Sequence, residues 1–246
     1  GATWRDAAYA TDGALLDRIR EDRIDILVDL AGAGPDNRLA VFAASAAPLQ
    51  VSWLDYFCTT GLEEIDYLIT DDYLAPAGSD AFYSETLLRL MPGRLCYTPP
   101  PAPTPSTEGV EARRLVCLNR FSKINDEVAA AWSAALLRLP GWSLRLKGTG
   151  GDDAGVANAL RRRFAAHGVD PERLDIFGEG PYAEAIDAYR DAAVALDPFP
   201  FSGCATSFDA LWMGLPVVTL PLDTMASRQT GSLLSAIGRE DWIADD

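Results

Sequence analysis

Residues 196–220 combine the residue types that a phosphate group needs with the order strand, turn and helix. The apolar run at 194–196 is typical of a buried strand, and Pro198 and Pro200 favour an extended loop after it. The small residues at 202–205 allow close backbone approach. Thr206 and Ser207 can then begin a helix whose first N–H groups lack partners within the helix and can bind phosphate. A plain strand-to-helix turn capped by Thr206 explains these residues equally well.

A longer pattern runs through this segment and continues elsewhere in the chain. The order Gly-x-x-Thr-x-x-Asp-x-Leu-Trp-x-Gly-x-Pro stands at residues 203–216, Asn-x-x-x-Lys-Ile at 119–124 and Ala-Ser-Arg at 226–228. Shorter pieces follow at 24–30, 48–54, 59–61, 66–67 and 83–85. In type and order these pieces resemble the protein O-GlcNAc transferase and SPINDLY family of glycosyltransferases, with its bacterial members. The resemblance spans nearly the whole chain.

The resemblance implies a GT-B fold and the inverting transfer of a sugar from a nucleotide-diphosphate donor similar to UDP-GlcNAc to Ser or Thr hydroxyls of a protein. This chemistry breaks a bond to a phosphate leaving group, so positive charge or N–H dipoles must stabilise the charge that develops there. No Asp-x-Asp pair stands in the chain to chelate Mg²⁺. We therefore expect a metal-independent enzyme without any cofactor besides the donor substrate.

Lys123 is the candidate catalytic residue. It follows a strand-like run and precedes a helix start, which places it near the carboxyl edge of a sheet. The resemblance implies that its ammonium binds the donor diphosphate, and the alternative is a solvated loop lysine. Arg120 could add a second positive contact or pair with a surface acid.

The resemblance assigns the remaining donor contacts to two loops. Thr206 and Ser207 contact the distal phosphate through hydroxyl and N–H groups, and Asp209 accepts hydrogen bonds from the ribose hydroxyls. Asp209 could instead be a first-turn acid that complements the helix dipole. Gly180 and Tyr182 lie in a loop that meets the base through main-chain atoms, unless that loop is a plain turn. The full phosphate loop consists of Gly203, Cys204, Ala205, Thr206 and Ser207.

Three departures from the family pattern affect the site. Cys204 and Ala205 replace His or Gly followed by Thr, which removes one phosphate hydroxyl. The loop at 55–58 lacks two positions of tight backbone approach that face the sugar in relatives, so the donor sugar stays open. Family members use different donors, so the choice between UDP and GDP stays open as well. Ala33 stands where bacterial relatives often carry histidine, and the single histidine, His167, precedes Gly168 at a predicted helix end. The sequence therefore names no general base.

Composition excludes several classes of protein. The formal net charge of −15 over 246 residues argues against nucleic-acid binding, which needs clustered Lys and Arg. Four cysteines without Cys-x-x-Cys spacing predict reduced thiols and a cytoplasmic protein. No apolar run approaches the roughly 20 residues that cross a bilayer, and no signal-peptide pattern opens the chain. The acidic pairs at 71–72 and 152–153 are expected in solvated turns rather than in a metal site.

The order of predicted elements indicates an α/β protein with two Rossmann-like domains and mainly parallel sheets. Prolines between residues 98 and 112 predict a linker, or alternatively a long surface loop, between domains at 1–97 and 113–246. After the linker, strands at 115–118, 142–146, 174–177, 194–196 and 217–218 alternate with helices. These helices carry apolar residues at Val128, Trp132, Leu136 and Leu139, at Val156, Leu160 and Phe164, at Ala185, Ile186 and Tyr189, and at Leu233, Leu234 and Ile237. Ligands of such a sheet bind at the carboxyl ends of its strands.

The first predicted domain is incomplete. It offers a helix around residues 15–19, a strand at 24–30, a helix at 38–44 and strands at 51–54 and 67–70. By resemblance the chain enters this domain midway and is a fragment or a reduced relative, with a possible tetratricopeptide region upstream. We therefore expect the chain alone to transfer sugar poorly or not at all. The alternative function is a non-catalytic nucleotide-sugar-binding module.

Overall fold

The computed structural model describes residues 2–99 and 112–246, which form two compact units that divide between Leu95 and Cys96. The division precedes the boundary expected at residue 97, so Tyr97 belongs to the second unit. Most of the predicted linker lies outside the described residues. Within the described ranges, no helix is both long and apolar enough to cross a membrane.

The first unit contains one parallel sheet whose strand order follows the chain. Its elements are α1 (Asp12–Glu21), β1 (Ile26–Asp29), α2 (Leu39–Phe42), β2 (Leu49–Ser52), β3 (Tyr67–Thr70) and β4 (Thr86–Arg89). The predicted strands and helices are all present: β3 has the predicted bounds, β1 and α2 are shorter than predicted, α1 is longer, and β2 begins and ends two residues earlier. Strand β4 was not predicted. It has four residues of which one is buried, so its sequence lacks the alternation of apolar and polar residues that indicates a strand.

The second unit contains a parallel sheet of five strands in the order β7-β6-β5-β8-β9. The strands are β5 (Arg114–Cys117), β6 (Ser143–Lys147), β7 (Leu174–Phe177), β8 (Val194–Leu196) and β9 (Val217–Val218). From β5 to β7 the sheet grows in one direction, and β8 and β9 then add on the other side of β5. The strand order therefore reverses between β5 and β8, where a crevice for ligands opens at the carboxyl ends.

Helices cover both faces of this sheet. They are α3 (Asp126–Leu137), α4 (Ala154–Ala165), α5 (Tyr182–Asp187), α6 (Ala205–Trp212) and α7 (Gln229–Ala236). Asn125 caps α3, because its Oδ1 accepts a hydrogen bond from the N–H of Val128 at 2.8 Å. Leu139, Tyr189 and Ile237, which were assigned to helices by their spacing, lie beyond the ends of α3, α5 and α7. Leu139 and Tyr189 still pack against the core.

The expectation that both acidic pairs lie in solvated turns is wrong for Asp71. This residue is buried and accepts hydrogen bonds from the backbone N–H groups of Tyr73, Leu74 and Arg94. The carboxylate thereby fixes the turn after β3, a role that explains its burial. Asp153 is exposed and caps α4.

Candidate functional site

A cavity of about 280 Å³ opens at the carboxyl ends of β5, β6 and β7 in the second unit. Its lining includes Asn119 and Arg120 after β5, Lys147 at the end of β6, and Glu179 after β7. Helices α5 and α6 close another side of the cavity. The predicted site residues Arg120, Gly180, Tyr182, Thr206 and Asp209 all line it.

Lys123 lies in a short 3₁₀ helix, Phe121–Lys123, between β5 and α3. Its Nζ donates hydrogen bonds to Asn119 Oδ1 at 3.2 Å and to the carbonyl of Ser202 at 2.8 Å, and it lies 4.4 Å from the ring centroid of Phe201. The ammonium therefore spans the loops that follow β5 and β8, at the point where the strand order reverses. Desolvation lowers the pKa of Lys123, and the negative charge of Asp197 acts in the opposite direction.

Asp197 fixes the loop that receives Lys123. Its buried carboxylate accepts hydrogen bonds from Ser202 Oγ at 2.8 Å, from the N–H of Gly203 at 2.5 Å and from Thr219 Oγ1 at 2.7 Å. Burial raises the pKa of Asp197, and the three donors oppose that shift. A side chain at Gly203 would place its Cβ 2.8 Å from Asp197 Oδ1, closer than Cβ atoms approach. Glycine is required here by close packing.

The phosphate loop is arranged differently from the prediction. Cys204 is the N-cap of α6, and its side chain does not cap the helix, so a helix capped by Thr206 is wrong. The Gly203 N–H is already bonded to Asp197. Ser207 is also engaged, because its buried Oγ lies 2.7 Å from Thr230 Oγ1 and its N–H donates to the Cys204 carbonyl.

Among the residues of the phosphate loop, Thr206 is the best candidate for a contact with a ligand. Its Oγ1 is buried, without a hydrogen-bond partner among the described residues, and the residue lines the cavity. A buried hydroxyl without a partner costs free energy, which a ligand acceptor would recover. Cys204 is half-buried and Ala205 is exposed at the first turn of α6.

Asp209 is held by two phenols. Tyr97 Oη donates to Asp209 Oδ1 at 2.6 Å, and Tyr182 Oη donates to the same oxygen at 2.5 Å. The ring of Tyr97 is stacked on Phe208, with centroids 4.8 Å apart. Burial and the hydrogen bond to Asp209 raise the pKa of both tyrosines. Because the described residues give Oδ2 no hydrogen bond, that oxygen is available to a ligand hydroxyl.

Two residues of the site escaped sequence reasoning. Tyr97 lies 112 residues before Asp209, and no spacing rule links the two positions. Lys147 ends β6 and is followed by Gly148. A cation before a small residue at the end of a strand could have marked Lys147 as a candidate for the site. Its Nζ donates a hydrogen bond to the Gly178 carbonyl at 2.9 Å.

His167 and a possible metal site, both considered in the sequence analysis, are not part of this cavity. His167 is exposed, just beyond α4 and before Gly168. Among the residues that the structure describes, no group of three or more His, Cys, Asp or Glu side chains is arranged to hold a metal ion.

Comparison with known proteins identifies similar sequences and structures. The family model described as glycosyl transferase family 41 matches residues 6–95 and 111–246. Two probable UDP-N-acetylglucosamine–peptide N-acetylglucosaminyltransferases named SPINDLY, from Petunia hybrida and Solanum lycopersicum, are 33% and 32% identical over 99% of this chain. A lysine-to-methionine mutant of the Thermobaculum terrenum O-GlcNAc transferase is 42% identical over 99% of this chain, with a TM-score of 0.94.

The structural match confirms the predicted GT-B-like α/β fold with two mainly parallel sheets. A glycosyltransferase from Rickettsia africae, 8% identical with a TM-score of 0.53 over 89% of this chain and 64% of that chain, shares the fold alone. The present chain spans 27% of the length of the two SPINDLY relatives and 47% of the Thermobaculum terrenum chain.

Proposed function

The chain belongs to glycosyl transferase family 41, and we propose that it forms the donor-binding part of a protein O-glycosyltransferase. This enzyme transfers a sugar from a nucleoside diphosphate, similar to UDP-GlcNAc, to Ser or Thr hydroxyls of a protein. Support comes from the names of the relatives, which are peptide N-acetylglucosaminyltransferases. Within the chain, the main support for the proposal is the position of the Lys123 ammonium, which hydrogen-bonds to the loops after β5 and β8 beside the cavity.

The chemistry follows from the charges at this point. Transfer breaks the bond between the sugar C1 and a phosphate oxygen while the acceptor oxygen forms a new bond to C1 on the opposite face. The departing diphosphate gains negative charge, which the Lys123 ammonium can stabilise from a partly desolvated position. Thr206 Oγ1 can donate to the same phosphates, and Asp209 Oδ2 can accept from the ribose. The acceptor hydroxyl loses its proton to a general base as the new bond forms.

Binding and transfer test this proposal separately. Calorimetry should show that the chain binds UDP or GDP without Mg²⁺ and equally well in EDTA. Transfer is measured with radiolabelled UDP-GlcNAc and protein acceptors, for this chain and for the longest natural product that contains it. Absence of nucleotide binding would contradict the proposal, whereas binding without transfer by either protein would favour a non-catalytic module.

Nucleotide binding should depend on pH through Lys123. The ammonium is charged below its pKa, which desolvation places below the ordinary lysine value, so UDP affinity should fall as pH rises from neutral to about 10. Lys123→Arg should flatten this decline because a guanidinium stays protonated throughout. Titration calorimetry at several pH values checks the result. An identical decline in both proteins would assign the titration to another group.

Ribose recognition should depend on the hydroxyl of Tyr97. Tyr97→Phe keeps the ring that stacks on Phe208 but removes one of the two hydrogen bonds that orient Asp209. We expect about tenfold weaker UDP binding, the value of one charge-assisted hydrogen bond. The affinity for 2′-deoxy-UDP, which offers the carboxylate one hydroxyl fewer, should change less. An equal loss for both nucleotides would show that Tyr97 acts on the fold and not on Asp209.

The proposal also covers the compartment and the acceptor. We propose a cytoplasmic protein, supported by four cysteines that form no disulfide among the described residues. A tetratricopeptide region upstream would present the acceptor protein.

A further inference from the structure

An exposed aromatic ring lies beside the Lys123 ammonium, on the loop that follows β8. Lys123 Nζ lies 4.4 Å from the centroid of the Phe201 ring, and Phe201 is 42% exposed. An ammonium over the face of an aromatic ring is attracted by the negative charge of that face. The contact therefore keeps the ring next to Lys123 while part of the ring stays open to a ligand.

The backbone on both sides of this ring is anchored. Asn125 Nδ2 donates a hydrogen bond to the Phe199 carbonyl at 3.4 Å, and the Ser202 N–H donates to the Ala226 carbonyl at 3.1 Å. The Ala-Ser-Arg piece at 226–228 thereby supports the loop that carries the ring. A ring on an anchored segment loses little conformational freedom when a ligand covers it, so less of the binding free energy is spent on ordering it.

The ring lies on the far side of the diphosphate from the ribose. Asp209, the candidate ribose acceptor, lines the cavity, whereas Phe201 is not among the residues described in that lining. Lys123 hydrogen-bonds both to Asn119 of the cavity lining and to Ser202 on the loop of the ring. A donor with its ribose at Asp209 and its diphosphate at Lys123, as the proposed function requires, therefore brings its sugar toward Phe201.

We propose that Phe201 forms an apolar platform for the sugar of the donor. A pyranose presents C–H groups on the faces of its ring and hydroxyl groups around its edge. An aromatic ring that packs against such a C–H face removes apolar surface of both partners from water, which stabilises the complex. Phe201 is thus a specificity-determining residue, because it adds affinity for the nucleotide-sugar and none for the bare nucleotide.

The ratio of two affinities tests this role. Calorimetry measures the binding of UDP-GlcNAc and of UDP, or of GDP-mannose and GDP if the chain prefers guanine. Phe201→Leu keeps an apolar side chain without the ring, and it should lower the affinity for the nucleotide-sugar relative to the nucleotide by about three- to tenfold, the value of one aromatic packing contact. The ratio is the readout, because loss of the ring also changes the surroundings of Lys123 and with them both affinities.

Two further variants control for the ring and for its position. Phe201→Tyr keeps an aromatic ring and should retain the wild-type ratio. Phe177→Leu removes another exposed ring beside a cation, with its centroid 5.8 Å from Arg145 Cζ, but this ring stands at the end of β7. It should therefore leave the ratio unchanged. Thermal unfolding of each variant establishes that it is folded.

The outcomes separate this inference from the proposed function. If the wild-type chain binds neither nucleotides nor nucleotide-sugars, the proposed function fails and the sugar platform fails with it. If the chain binds both and a folded Phe201→Leu protein has the wild-type ratio, the inference alone is overturned. An equal change of the ratio in Phe177→Leu would also overturn it, because the effect would then not depend on the position of the ring.

Discussion

Replacing Lys123 by methionine is expected to weaken the binding of UDP and GDP by about tenfold to a hundredfold. The substitution keeps the length of the side chain and removes a charge that contacts Asn119 Oδ1 and the Ser202 carbonyl. A charge-assisted contact to phosphate contributes about 1.5–3 kcal/mol, which corresponds to that range of affinity. The effect on sugar transfer should be larger, about a hundredfold to a thousandfold, because charge on the leaving diphosphate develops fully only in the transition state.

Calorimetry and a radiolabelled-donor assay measure these two losses. Arg162→Met is the matched control, because Arg162 is an exposed cation in the last turn of α4 and should change neither value. Addition of EDTA should leave the wild-type affinity unchanged. Wild-type affinity in the Lys123→Met protein, or binding that requires Mg²⁺, would remove Lys123 from the site.

The sequence was sufficient for the sheet of the second unit, since its strands are short apolar runs between well-marked helices. The position of Lys123 followed from the same order, because a residue between a strand and the next helix lies at the carboxyl edge of a parallel sheet. The reversal of strand order between β5 and β8 brings Lys123 to Ser202. That contact joins residues 79 positions apart, beyond any local pattern.

Side-chain orientation could not be predicted in the same way. Thr206 and Ser207 are adjacent hydroxyl residues, and the sequence makes them equally good candidates for a phosphate contact. Of the two, Thr206 is described in the lining of the cavity and Ser207 is not. Ser207 faces Thr230 of α7, a helix whose packing position the sequence does not give. The phenol of Tyr97 reaches Asp209 through a tertiary contact across 112 positions, which no local pattern indicates. Tertiary contacts of this kind select which of two similar residues faces a ligand.

Replacing Asp197 by alanine should destabilise the second unit by about 3 kcal/mol. The Gly203 N–H and Thr219 Oγ1 would lose a buried acceptor, at about 1–3 kcal/mol for each unsatisfied group. Relief from burying a charge, which raises the pKa of Asp197, offsets part of this loss. Asp197→Asn should cost less, because the amide keeps one acceptor oxygen and the shape of the side chain. Both variants should also weaken UDP binding, since the loop that positions the Ser202 carbonyl against Lys123 depends on this carboxylate.

Differential scanning calorimetry should show the unfolding transition of the second unit about 6–12 °C lower for Asp197→Ala, as a change of about 3 kcal/mol implies for a unit of this size. Asp187→Ala is the control, because it removes only an exposed ion pair with Arg190, and such pairs contribute about 0–1 kcal/mol. An Asp197→Ala protein with wild-type stability would show that the loop reorganises to satisfy its own donors. In that case its UDP affinity should still fall, because the reorganised loop would move the Ser202 carbonyl; unchanged affinity as well would exclude Asp197 from positioning Lys123.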